Sequence, residues 1–337
     1  MIKLSVAALI TLALLISSGC ALTQTQGESS IPAPATLYES VVIDSNSRQP
    51  VSLEYVADAL SKADVVIVGE YHGHPGSHLL QTRLLKHLHN QNPHITLTLE
   101  QFNLDHQSDL DDYLAGETGE AEMIEDTNAW DNYRGSYRPI VEYARNHNLP
   151  VIAANAPAQT VRCVGRIGPA YLNALPDNQR QQLPAHPFLD TPAYREKFIE
   201  AISGSHGSND PAISERMASV YKAQLLRDNT MASRILQARK KHPGHQVLHL
   251  TGTFHSEESL GTVALLKKRA PELSVVVLSP VFWVAEEAPP SLESQLGKGN
   301  FLYLIQPLPK EYRDPDRQNK AMKQRFSGRS DTHCTTE

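Results

Sequence analysis

Five short aliphatic, mostly β-branched runs recur along this chain: VVIV at 65–68, ITLTL at 95–99, VIAA at 151–154, VLHL at 247–250 and VVVL at 275–278. Runs this apolar suit strands covered on both faces, the condition of a parallel sheet. FLYLI at 301–305 reads as a final strand. Helix-like segments lie between them. Residues 77–90 place Leu79, Leu80, Leu84, Leu85 and Leu88 on one helical face. Residues 137–146 and 256–269 follow the same period, and Glu257 and Glu258 fall in the first turn of the latter, where the helix dipole favours acids. Strands alternating with helices predict an α/β fold, a central largely parallel sheet flanked by helices.

The rhythm breaks between about 168 and 240. Pro-bearing connectors lead to a helical stretch at 194–203, a turn-rich SGSHGSND at 203–210, and a long helical run at 213–239. This region is expected to be a helical insertion or cap against the sheet, within an α/β domain spanning 41–309. The polar tail at 310–337 is expected to be loose.

The N-terminus has a different character. Lys3 precedes an apolar stretch at 4–16, shorter than the roughly 20 residues that cross a membrane but right for a secretory signal. The stretch ends in Ser17-Ser18-Gly19-Cys20. The expectation is a signal peptide at 1–19, lipidation of Cys20, and a lipidated tether at 20–40 containing TQTQGESSIPAPA. Ala21 after the cysteine points to the outer membrane of the bacterial envelope. Cys163 and Cys334 then remain; export permits a disulfide, but Cys334 sits in a polar tail, and two unpaired thiols are expected.

Chemistry-bearing residues stand just after these strands. The first run leads into Gly69-Glu70-Tyr71-His72-Gly73-His74-Pro75-Gly76, the second into Glu100, the third into Asn155, and the fourth into Thr251-Gly252-Thr253-Phe254-His255. Ligands of open parallel sheets bind beyond the carboxyl ends of the strands. Glu70, His72, Glu100, Asn155 and His255 should therefore converge on one rim, with Gly69 and Gly252 lining the pocket. Two carboxylates and two imidazoles suit a divalent metal ion or general acid–base chemistry. Of the six histidines between 72 and 94, His74 and His78 are assigned to the surface.

The motifs VVIVGEYHGHPGSH, TLTLEQF, WDNYRGSYRPIVEYAR, VIAANAP, AQLLRDNTMASRI and HLTGTFH, in that order, resemble the ChaN-like haem-binding uptake lipoproteins. That family shares a superfamily with Tiki-type metal-dependent proteases and erythromycin esterases. The resemblance covers about residues 40–285. It implies an α/β core with helical additions, a lipid anchor, a role in haem or iron acquisition, and a homodimer enclosing haem through tyrosine ligation. A possible outer-membrane haem or iron receptor would be the transport partner. The superfamily's Gly-Glu-x-His and Gly-x-x-His signatures fall on Gly69, Glu70 and His72 and on Gly252 and His255, with Glu100 as the acid closing the second strand. In hydrolytic relatives these positions form the active site.

Tyrosine is an established axial ligand class for haem iron. Among 12 tyrosines, Tyr221 beside Lys222 is the first choice, set against a plain packing role, and His206 could meet a propionate. Tyr133, Tyr137, Arg134 and Arg138 form a second candidate patch. Arg227 and Asp228 in LLRDNTMA either serve the site or form a structural ion pair within the helix layer, and the ion pair is favoured.

The chain carries 31 Lys+Arg against 37 Asp+Glu and no long basic run, which argues against nucleic acid. Phosphate loops, a GxGxxG turn, a serine elbow and a CxxC pair are missing from the sequence. Three readings remain: a lipid-anchored haem-binding protein, a metal-dependent hydrolase using Glu70, His72, Glu100 and His255, or a structural envelope lipoprotein with a vestigial pocket.

Overall fold

The computed structural model describes residues 31–203, 211–283, 292–327 and 334–335. The proposed signal peptide, Cys20 and His206 lie outside them. Among the described residues one eight-stranded sheet runs in the order β2-β1-β8-β7-β3-β6-β4-β5. Its strands are β1 (Val41–Asp44), β2 (Pro50–Val51), β3 (Val65–Glu70), β4 (Ile95–Asn103), β5 (Val151–Asn155), β6 (Gln246–Gly252), β7 (Val275–Phe282) and β8 (Phe301–Ile305). The six from β3 to β8 are parallel; β1 pairs antiparallel with β8 and β2.

Alternation within each apolar run explains the double burial. Val66 and Val68 of β3 join Leu97 and Leu99 of β4 and Leu248 and Leu250 of β6 on one face. There they pack on Leu80, Leu84 and Leu85 of the Pro75–Gln91 helix and on Ile140 and Val141 of the Arg138–Asn146 helix. Val65, Ile67 and Val247 point to the other face, against Ala232, Ile235 and Ala238 of the Pro211–Lys241 helix and Leu265 and Leu266 of the Thr262–Arg269 helix. Each fully buried aliphatic side chain contributes about 1.5–3 kcal/mol. The long helix expected in the insertion is thus the second layer of the sheet.

Three local features differ from expectation. The helix expected over 256–269 begins only at Thr262, because Glu258, Ser259 and Gly261 all take positive φ and turn the chain first. The tail contains a Pro315–Ser327 helix. The two thiols are paired: Cys163 of the Ala158–Ile167 helix is disulfide-bonded to Cys334, with the Cα atoms 5.3 Å apart across 171 residues of sequence. The polar tail folds back onto the body, a tertiary event that local composition does not encode.

The central strands β3 and β6 form a topological switch. From β3 the chain enters the Pro75–Gln91 helix on one face; from β6 it reaches the Thr262–Arg269 helix on the other. Such divergence opens a crevice at the strands' carboxyl ends.

Candidate functional site

Parallel pairing places Glu70 beside Gly252 in register and Leu99 beside Leu250, so Glu70 and Glu100 flank the end of β6. Because side chains alternate along a strand, Glu70 belongs to the Val66–Val68 face and Glu100 to the opposite one. The rim joins the two faces.

Glu70 is buried and heavily coordinated. Its Oε1 accepts from His72 Nδ1 (2.8 Å), Tyr137 Oη (2.5 Å) and Gln101 Nε2 (3.1 Å), and its Oε2 accepts from Gln81 Nε2 (2.6 Å). Burial pushes its carboxyl upward, but the hydrogen bond from His72 and the neighbouring imidazoles outweigh this and leave it lowered. His72 is the open end of the pair: its side chain is 44% exposed and that of Glu70 0%. Partial burial pulls the imidazole downward, and Glu70 and Glu100 pull it above its ordinary value.

Across the rim, Glu100 Oε2 accepts from Gly252 N–H (2.6 Å) and Thr251 Oγ1 (2.7 Å), and its Oε1 lies 3.4 Å from His255 Nε2. The other nitrogen of His255, Nδ1, donates to Asp228 Oδ1 (2.8 Å). Asp228 also accepts from Thr262 Oγ1 (2.9 Å) and Tyr194 Oη (2.7 Å). Burial alone would drive the His255 imidazole down; the Asp228 and Glu100 carboxylates on either side push it up to about 10. His255, with His72, in turn holds Glu100 well below the usual carboxylate range against burial.

The result is one row of coupled groups: Tyr137, Glu70, His72, Glu100, His255, Asp228, Tyr194. Gly252 makes the crossing possible. A Cβ there would come within 2.9 Å of His72 Nε2 and 3.7 Å of Glu100 Oε2, so only a bare backbone lets these groups approach. Gly69 serves a similar end, since a Cβ there would meet Ser256 Oγ at 2.7 Å.

The four core residues expected from the sequence therefore meet. Asn155 stands at the end of β5 but turns Oδ1 onto Ala156 N–H (2.9 Å). His74 and His78 are buried, contrary to their surface assignment. His74 caps the Pro75–Gln91 helix by accepting from Gly76 N–H (3.1 Å). His78 accepts from Gly73 N–H at Nε2 (3.1 Å) and passes its Nδ1–H to Gln81, which donates to Glu70. The expected Arg227–Asp228 ion pair does not form, because Asp228 faces His255. Of the other site residues, sequence reasoning misses Gln81 and places Asp228 and Tyr137 in other roles, an ion pair and a haem contact. The one available signal for Asp228 was its place in the motif AQLLRDNTMASRI.

A resident divalent metal does not fit this donor set. Among the described residues no group of three or more His, Cys, Asp or Glu side chains is placed to hold one. The carboxylates of Glu70 and Glu100 are already saturated by amide, hydroxyl and imidazole donors. What the arrangement supports is proton handling between paired acids and imidazoles.

The haem contacts expected from the sequence are employed elsewhere. Tyr221 is buried, hydrogen-bonds through its hydroxyl to Asp190, and packs between Tyr194 and Phe198. Lys222 Nζ lies over the Phe188 ring at 5.6 Å. Tyr133 and Tyr137 are buried, and Arg134 and Arg138 both pair with Glu120. Half-buried aromatics instead gather at the mouth of the rim. Trp130 meets His72 edge-on at 4.8 Å, and Tyr71 stacks on Phe282 at 4.2 Å.

A family model described as "Haem-binding uptake, Tiki superfamily, ChaN" matches residues 56–266. Among solved structures, ChaN of Campylobacter jejuni, described as binding haem cofacially, aligns with a TM-score of 0.61 at 19% identity, over 80% of this chain and 98% of that one. This likeness carries the fold. A mutant of the erythromycin esterase EreC in its open conformation aligns at 0.44 and 13% identity, over 83% of this chain and 86% of that one. An Arabidopsis thaliana protein, RETICULATA-RELATED 5, chloroplastic, is 25% identical over 266 residues, which is 72% of this chain. The chain spans about a third (35%) of the length of that curated relative.

Proposed function

The chain belongs to the ChaN haem-binding uptake family of the Tiki superfamily, and from that premise we propose that it is an envelope protein that captures haem for uptake. The proposed anchor is a lipid on Cys20 after removal of residues 1–19, at the outer membrane, with haem held between two copies and passed to a membrane receptor. The Cys163–Cys334 disulfide supports an oxidising compartment.

The observation that carries the haem reading on this chain is the rim itself. It presents one half-exposed imidazole, His72, beside Trp130 and the Tyr71–Phe282 stack. A flat apolar macrocycle gains from covering such aromatic surface. Titration of the purified protein with haemin is expected to give a saturable Soret band at micromolar protein. An unchanged haemin spectrum would reject the proposal.

The row of acids and imidazoles favours a second reading, ester or peptide hydrolysis. In that reading His72, its Nδ1–H held by Glu70, relays a proton to or from water, while His255 and Glu100 hold the opposite charge balance. No metal step is needed. Turnover of ester substrates that disappears in His72→Asn while the fold survives would support it; equal turnover in that variant would not.

A further inference from the structure

The Pro211–Lys241 helix crosses the sheet with several arginines, and their surroundings differ. Arg234 donates to Ala153 O (2.9 Å), Gln107 Oε1 (2.8 Å) and Gln237 Oε1 (2.9 Å). Arg239 donates to Asp64 and to the His245 carbonyl. Arg227 is half-buried like these, one helical turn from Gln224 and next to Asp228, both of which contact His255. Yet among the described residues its guanidinium has no hydrogen-bond or ion-pair partner, although the Glu100 and Asp228 carboxylates act on it.

The nearby acids do not need it. Asp228 is satisfied by His255, Thr262 and Tyr194, and Glu100 by Gly252, Thr251 and His255. Five donors in a fixed fork, partly desolvated and unclaimed by protein, are arranged for an oxygen pair from outside. A bidentate carboxylate matches that fork best.

We propose that Arg227 is the seat for a ligand carboxylate at the rim. On the haem reading above, on which this inference rests for the ligand's identity, the group is a propionate of the porphyrin. Its apolar body would lie toward Trp130 and Tyr71, and its acid would reach in to Arg227.

The test compares protoporphyrin IX with its dimethyl ester, followed by porphyrin fluorescence on the wild-type protein, Arg227→Gln and Arg227→Lys. The free acid is expected to bind about tenfold more tightly than the diester to wild type, as one charge-assisted pair implies. R227Q should abolish that preference and R227K should restore part of it. Equal affinity of acid and diester for the wild type would overturn the seat. If neither metal-free porphyrin binds, the haemin titration above decides the haem reading separately, and 4-phenylbutyrate decides the seat by NMR. A saturable shift of the Arg227 Nε–H resonance, assigned by its loss in R227Q, then supports it, and an unmoved resonance overturns it.

Discussion

Reduction of the Cys163–Cys334 disulfide is expected to destabilise the protein by about 5 kcal/mol, because the bridge closes a loop of 171 residues in the unfolded chain. For a chain of this size that corresponds to a fall in melting temperature of roughly 10 °C. The bond ties the tail to the Ala158–Ile167 helix, which packs on the long helix that carries Asp228. Cys334→Ser is the cleaner variant, since Cys163 is fully buried among Val161, Val164 and Leu226 and its replacement would also disturb packing. Thermal unfolding with and without reductant should differ in the wild type and coincide in Cys334→Ser. A melting temperature indifferent to reductant in the wild type would show that the bridge contributes nothing.

The second large effect lies at Asp228. Asp228→Ala leaves the His255 imidazolium buried beside Glu100 alone, and breaking a buried pair in this way costs about 3–5 kcal/mol. The same pair dictates a pH profile. His255 is raised to about 10 from an ordinary 6.5, so its contribution is complete below pH 6.5 and is lost as pH rises toward 10. By the shift, that loss is on the order of 4 kcal/mol.

His249 has the opposite sign. Burial lowers it to about 4, with Nδ1 against Thr98 Oγ1 at 2.9 Å, so its contribution is complete above pH 6.5 and is lost as pH falls toward 4. Glu70 and Glu100, both lowered, extend that acid limb below the ordinary carboxylate value of 4.5. Urea unfolding across pH 4–10 should therefore show a stability maximum near pH 6.5. Asp228→Asn should flatten the alkaline limb and spare the acid one. A wild-type alkaline limb that is already flat would mean that His255 is not held charged by its neighbours.

Much of this was legible in the sequence because it follows from short-range pattern. Apolar runs of double burial gave β3 to β8, and the rule that ligands gather beyond parallel strand ends brought Glu70, His72, Glu100 and His255 together before any coordinates. The two-residue edge strand β2 carries little apolar signal, and the short VVID run of β1 joins the sheet by antiparallel pairing, which strand–helix alternation does not foretell. Residues that act through tertiary contact were also hidden. Asp228 looks like any charged helix residue until the helix is laid over β6. His78 looks like a surface histidine until Gly73 and Gln81 are placed around it. Tyr137 reads as a candidate haem ligand by residue type, whereas packing turns its hydroxyl onto Glu70. Pairing of Cys334 required the tail to return across the molecule, which no local rule foretells.

Glu100 couples the two imidazoles, His72 and His255, across Gly252. Histidine NMR titration of the wild type and Glu100→Gln tests this most directly. The charge of Glu100 raises both His72 and His255, so its removal should lower the titration of both rings, with His255 the more affected because its Nε2 lies 3.4 Å from Glu100 Oε1. Movement of both rings would establish a single coupled centre. Two unmoved histidines, or a shift confined to one of them, would contradict it and leave two separate pairs that share only a rim.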